Sequence, residues 1–221
     1  MFFTPFSSYS THCTVVRIIC QHLYEILVTQ NLLLSIRMDF TAFSHGQITS
    51  KLWLCEHLEP HLPDNARVAI LGCWYNVLGF MLLTRKPKAY QCIKGYDISS
   101  KAINIANKVC DAWMINTHIV SHEKINVNKL SYDDVDVIIN CSPEHMTSIR
   151  WFDQIPNNKL VCIQSISIDD PKAPWFIKTP TPTMSDFKKK YALSNTKFCD
   201  MIEIRYVSGW GYDRYMTIGY K

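Results

Sequence analysis

The stretch VAILGCWYNVLG, Val68 to Gly79, decides the fold of this chain. Its first half continues the run ARVAILGC, residues 66–73, whose small and β-branched residues show no polar alternation. That pattern predicts a strand buried on both faces, as in a parallel sheet. A glycine turn follows, and then VLGFMLLTR reads as a helix. Strand, glycine turn and helix together predict a loop whose backbone N–H groups face a ligand at the helix N-terminus. The common spacing puts glycines at 72, 74 and 76, where this chain has Gly72, Trp74 and Asn76. Asparagine tolerates the left-handed conformation, so Asn76 can stand in for a glycine. Trp74 is expected not to mimic one, and its wide side chain would crowd a pyrophosphate. The ligand predicted is one without a pyrophosphate.

Asp97 closes the next predicted strand, AYQCIKGYDIS, roughly 20 residues after the turn, which is where an acid holds ribose hydroxyls. Its alternative role is to cap the helix SSKAINIANKVCDAW, which begins near Ser99. A short third strand is expected in HIVSHEKIN, a fourth in YDDVDVIINCS and a fifth in NKLVCIQSIS. Strands alternating with helices specify right-handed crossovers and a doubly wound, mostly parallel sheet. The C-terminal part differs. After a capped helix in TMSDFKKKYAL, the segments DMIEIRYV and DRYMTIGY alternate around SGWGY as an antiparallel hairpin.

The 221 residues suffice for one α/β domain with an appendage. A net charge of +4 is too mild to argue for nucleic-acid binding. Nine cysteines without a CxxC pair or a Cys/His cluster argue against a zinc site or a disulfide framework, and fit a reducing cytoplasm. Residues 1–37 form an N-terminal extension, helical or weakly ordered, and Met38 opens the domain that runs to residue 221. Arg17, Gln21, His22, Glu25 and Gln30 interrupt its apolar run before the roughly 20 residues that a membrane span needs.

The polar ends of strands four and five supply the candidate chemistry, because ligands of open α/β sheets bind at the carboxyl ends of the strands. In NCSPEHM these residues are Asn140, Ser142, Glu144 and His145, with His145 a candidate base and Glu144 its orienting partner. Glu144 can instead cap a helix after the turn at Pro143. Gln164 and Ser165 can contact a substrate or be satisfied by loop backbone. Near the start of the domain, SHGQITSK places Gln47 just before, and Lys51 on, a predicted helix covering Ile48 to Leu58, as ligand contacts or as a solvated helix start.

With the loop, the acid and the hairpin assembled, the chain resembles the class I S-adenosylmethionine-dependent methyltransferases. More narrowly, it is similar to small methyltransferase-like proteins of bacteriophage type, through FSHGQITSKLWLCEHLE, ILGCWYNVLG, YDIS, VIINCSPEHM, IPNNKLVCIQS and DRYMTIGYK. The resemblance implies a Rossmann-like sheet with a seventh strand inserted antiparallel beside the fifth, and S-adenosylmethionine as cofactor. It implies that Gly72, Cys73, Trp74 and Tyr75 cradle the methionine part and that Asp97 and Ile98 bind the ribose side. Gln47 and Lys51 are expected at the cofactor carboxylate, with Asn140 and Ser142 beside the transferred methyl. The narrower group tends to carry a tryptophan and a tyrosine after its first glycine, as here. No metal and no membrane are expected, and the methyl acceptor is left open. The alternatives are a non-catalytic cofactor-binding module, an enzyme that transfers the aminocarboxypropyl group, and, least favoured, a nicotinamide oxidoreductase.

Overall fold

The computed structural model describes residues 38–167 and 177–221. The apolar N-terminal run expected to be helical lies outside the described residues. Seven strands form one sheet in the order β3-β2-β1-β4-β5-β7-β6. They are β1 (Ala66–Leu71), β2 (Tyr90–Asp97), β3 (Val120–Lys124), β4 (Val137–Asn140), β5 (Leu160–Ile166), β6 (Asn195–Arg205) and β7 (Gly211–Tyr220). The first five are mutually parallel. β7 runs antiparallel between β5 and β6, as the resemblance implies. β6 begins five residues before the predicted DMIEIRYV, and as the edge strand it exposes most of its side chains, including the charged Lys197, Asp200 and Arg205.

The sheet is buried because its strands alternate between two apolar clusters. Val68 and Ile70 of β1, Val137 and Ile139 of β4, and Leu160 and Cys162 of β5 face one way. Three helices cover that face: α1 (His45–Leu58), α2 (Val77–Arg85) and α3 (Ser100–Ala112). Ala69, Leu71, Ile138, Val161 and Ile163 face the other way, onto Trp151 and Phe152 of the short helix α4 (Arg150–Asp153) and Phe187 of α5 (Met184–Lys190). Both faces are covered, though only one by long helices.

Local signals fix where the helices begin. α1 starts three residues earlier than its apolar spacing predicts, because Ser44 Oγ accepts from the Gln47 amide at 3.4 Å. α3 is capped by Ser99, whose hydroxyl accepts from Ala102 N at 3.2 Å and leaves Ala102, Ile103, Ala106, Val109 and Cys110 inward at helical spacing. α5 is capped by Thr183.

Gln164 is a structural residue rather than a substrate contact. It is fully buried on the α1 face, and its Nε2 donates to Ser50 O at 2.8 Å and lies 3.4 Å from Met216 Sδ. Its Oε1 is buried without a partner. A desolvated, unpaired acceptor offsets what the amide donor contributes. Gln164→Met is therefore expected to change the stability measured by chemical denaturation by no more than about 1 kcal/mol. Leu54→Ala, at a fully buried α1 position, is expected to lower it by about 2–5 kcal/mol.

Candidate functional site

The strand order reverses direction between β1 and β4, and a crevice opens there at the carboxyl ends of the strands. A cavity of about 490 Å³ fills it, lined by Gly72, Cys73, Trp74 and Tyr75 after β1, Asp97 and Ile98 after β2, and Ser142, Glu144 and His145 after β4. Gln47 and Lys51 close it from α1, and Arg214 enters from β7. Every candidate residue predicted from the sequence reaches this cavity except Asn140, Gln164 and Ser165.

The loop is built on left-handed backbone. Gly72 has φ +63°, Trp74 +51° and Asn76 +55°. All three positions of the expected glycine spacing thus hold the conformation that glycine ordinarily supplies. This corrects the expectation that Trp74 could not mimic a glycine: its backbone does so, while its ring lines the cavity and packs on Tyr75 at 4.9 Å. Glycine itself is required at 72, since a Cβ there would stand 2.8 Å from Ser142 Oγ. Side chains from neighbouring strands hold the other two. Asp97 Oδ2 accepts from Trp74 N at 2.9 Å, and its Oδ1 accepts from Ser99 N at 2.8 Å. One carboxylate therefore ties the loop to the start of α3 and keeps lone pairs for further donors.

Asn76 is anchored from β3. Its Nδ2 lies 2.9 Å from His122 Nε2, and His122 Nδ1 lies 2.8 Å from Asn107 Oδ1. A neutral imidazole with its proton on Nδ1 satisfies both contacts, accepting from Asn76 and donating to Asn107. Gly79 makes room for this arrangement, because a Cβ there would fall 2.5 Å from Asn76 Oδ1. A glycine inside α2 is thereby explained despite its poor helix propensity. With its side chain turned to His122, Asn76 makes no capping bond to α2.

At the other end of the cavity the side chains are charged and buried. Glu144 lies in a 3-10 turn, Pro143–His145, rather than capping a helix, and only 2% of it is exposed. Its carboxylate stands 3.8 Å from Arg214 Nη1, 3.8 Å from His145 Nε2 and 3.4 Å from Ser165 Oγ. Ser165, bonded also to Thr181 at 2.8 Å, positions Glu144 from below. The Lys51 ammonium donates to the backbone and side-chain oxygens of Gln47, and burial lowers its pKa to about 8. Asn140, fully buried, braces the loop: its Oδ1 accepts from Ser142 N at 3.0 Å and its Nδ2 faces Met146 Sδ at 3.3 Å.

A family model described as the methyltransferase small domain matches residues 34–152, more than half of the chain. The chain belongs to this family. Among curated proteins, none matches it in sequence. Solved structures, methyltransferases among them, share its fold. Magnesium protoporphyrin IX methyltransferase from Synechocystis PCC 6803, solved with bound S-adenosylmethionine, is 14% identical, with 77% of this chain and 76% of that chain covered and a TM-score of 0.53. A S-adenosylmethionine-dependent methyltransferase from Aquifex aeolicus is 14% identical over 76% of this chain and 92% of that one, with a TM-score of 0.53. YcgJ from Bacillus subtilis, 10% identical, gives 0.60 over 77% of this chain and 98% of its own.

In this member of the methyltransferase small domain family, sequence reasoning did not place His122 and Arg214 at the site, and they reach it or its loop through β3 and β7. For Arg214 a signal was present: an arginine within the otherwise apolar run RYMTIGY marks a buried charge. Among the described residues, no helix is long and apolar enough to cross a membrane and no cluster of three metal-ligating side chains occurs.

Burial lowers the His122 pKa from 6.5 to about 4. Folding thus favours the neutral ring, so its contribution is complete above the unfolded pKa near 6.5 and is lost as pH falls through about 4. Solvent screening at this half-buried ring leaves about 1–2 kcal/mol. The stability of the protein, followed by urea denaturation between pH 6.5 and 4, is expected to decline more steeply than that of His122→Gln.

Proposed function

We propose that the protein is a S-adenosylmethionine-dependent methyltransferase that binds its cofactor over β1 and β2 and its methyl acceptor toward β4, β5 and β7. The observation that carries this reading is the single cavity in which a left-handed loop, a strand-end acid, a buried cation and a carboxylate–imidazole pair meet. The residues fit the cofactor. Gly72 lets the loop backbone pack closely on Ser142, where a Cβ would stand 2.8 Å from its Oγ, and Asp97 retains acceptor capacity for ribose hydroxyls. Lys51 carries a buried positive charge with only neutral Gln47 oxygens bonded to it, which suits the methionine carboxylate. Cys73, Trp74 and Tyr75 supply an apolar wall, and the exposed Ile98 flanks the ribose side.

When bound, S-adenosylmethionine supplies a methyl group on a sulfonium, open to direct displacement by an oriented nucleophile. The chain's own part is then to hold the acceptor in line, keep bulk water out and take a proton where the nucleophile carries one. His145, half exposed at the cavity and 3.8 Å from Glu144, is the candidate base. Glu144 orients it.

The narrower likeness to bacteriophage-type proteins rests on the motifs quoted above. A reducing compartment such as the cytoplasm suits the seven cysteines of the described residues, all of them free.

Titration of the purified protein with S-adenosylmethionine, S-adenosylhomocysteine and NAD by calorimetry tests the reading. Binding of the first two without NAD is expected, and no binding of either would overturn it. Asp97→Ala is expected to weaken S-adenosylhomocysteine about tenfold or more, since it removes both a ribose acceptor and the clamp on Trp74 N. Lys51→Met is expected to lower the affinity by a similar factor through loss of the carboxylate partner.

A further inference from the structure

Arg214 is placed oddly for a structural residue. It sits on β7, opposite Ile166 of β5 and Ile202 of β6, on the side of the sheet away from the proposed cofactor strands. Only 3% of it is exposed, and it lines the cavity. Of its five N–H donors, one reaches the carbonyl of Cys141 at the end of β4. Its buried Nε has no partner, and Glu144 at 3.8 Å stands beyond hydrogen-bond distance. Native interiors rarely leave a buried guanidinium donor unpaired, because its desolvation is uncompensated.

Charge balance points the same way. The formal charges lining the cavity are Lys51, Arg214, Asp97 and Glu144, which sum to zero. S-adenosylmethionine adds a carboxylate, an ammonium and a sulfonium, so the loaded cavity carries one excess positive charge. Lys51 takes the cofactor carboxylate in the function proposed above, which leaves Arg214 as the cation facing the acceptor. A guanidinium is suited to carboxylate or phosphate, which it can grip through two N–H bonds at once.

Resting on that reading, we propose that Arg214 forms an anion subsite at the β4–β7 end of the cavity and that the methyl acceptor is a small molecule bearing a carboxylate or phosphate group bound there. Glu144, loosely paired with the same guanidinium, competes with the incoming anion.

The test uses the full-length protein saturated with S-adenosylhomocysteine and titrated by calorimetry with inorganic phosphate and, separately, with acetate. The stronger binder of the two identifies the anion class. Arg214→Gln is expected to weaken that anion about tenfold or more while leaving S-adenosylhomocysteine affinity within about threefold. Glu144→Gln, which removes the competing carboxylate, is expected to tighten it several-fold, and it reads the subsite even if Arg214→Gln fails to fold. Absence of anion binding, equal binding by Arg214→Gln, or weaker binding by Glu144→Gln overturns the proposal. So does a fall in S-adenosylhomocysteine affinity that matches the anion loss, since Arg214 would then belong to the cofactor. If the wild-type protein binds no S-adenosylhomocysteine, the methyltransferase reading fails instead, and the same anion titrations on the unliganded protein still decide the role of Arg214.

Discussion

The loop from Gly72 to Asn76 folds back on itself through three left-handed residues in five, and only one of them is a glycine. A non-glycine residue held in that region costs about 1–3 kcal/mol, more readily borne by asparagine than by tryptophan. The conformation persists because two neighbouring strands clamp it. Asp97 at the end of β2 accepts from the Trp74 amide, and His122 of β3 takes the Asn76 side chain. The loop also touches the turn after β4, where Ser142 Oγ donates to Gly72 O at 3.5 Å, and residues on both sides of that contact line the cavity. Sheet order therefore does more than carry the site: strand pairing two places away sets the backbone angles at its centre.

Much of this was legible in the sequence. Continuous apolarity in VAIL and VIIN marked central parallel strands, and the distance from Gly72 to Asp97 placed the acid on the next one. The behaviour of Trp74 was not legible, because residue type conveys the size of a side chain, whereas its backbone angle is held by a hydrogen bond to another strand. The strand-end polar residues divide for a simpler reason. Side chains alternate, so in β5 Gln164 shares a face with Leu160 and Cys162 and meets α1, while Ser165 shares the opposite face with Val161 and Ile163 and meets Glu144. Once the register is known, parity assigns each residue to its side. The sequence alone leaves open which side holds the ligand.

The same topology explains the charged end of the cavity. An antiparallel strand inserted between β5 and β6 brings a C-terminal arginine beside the turn after β4, across 73 residues of sequence. No local pattern announces such a meeting. Its consequence is a buried guanidinium and a buried carboxylate that approach without a full hydrogen bond. A tightly closed pair would contribute little beyond balancing its own desolvation. A loose pair instead keeps both groups available, one to an anion and the other to an imidazole 3.8 Å away.

Two ends of one cavity are thus set by different physics. At the β1–β2 end the loop's shape is decided by backbone geometry, and Asp97 ties the loop to the start of α3 with one carboxylate. At the β4–β7 end the proposed anion subsite acts through charge, since Glu144 and Arg214 are each almost withdrawn from water. Charges in such surroundings act strongly on what enters, because little solvent screens them. A fold shared by methyltransferases of many acceptors leaves the choice of acceptor to residues of the second kind. In this chain Arg214 is the cation of that kind: its guanidinium reaches the carbonyl of Cys141 and stands beside Glu144, and its Nε is left without a partner.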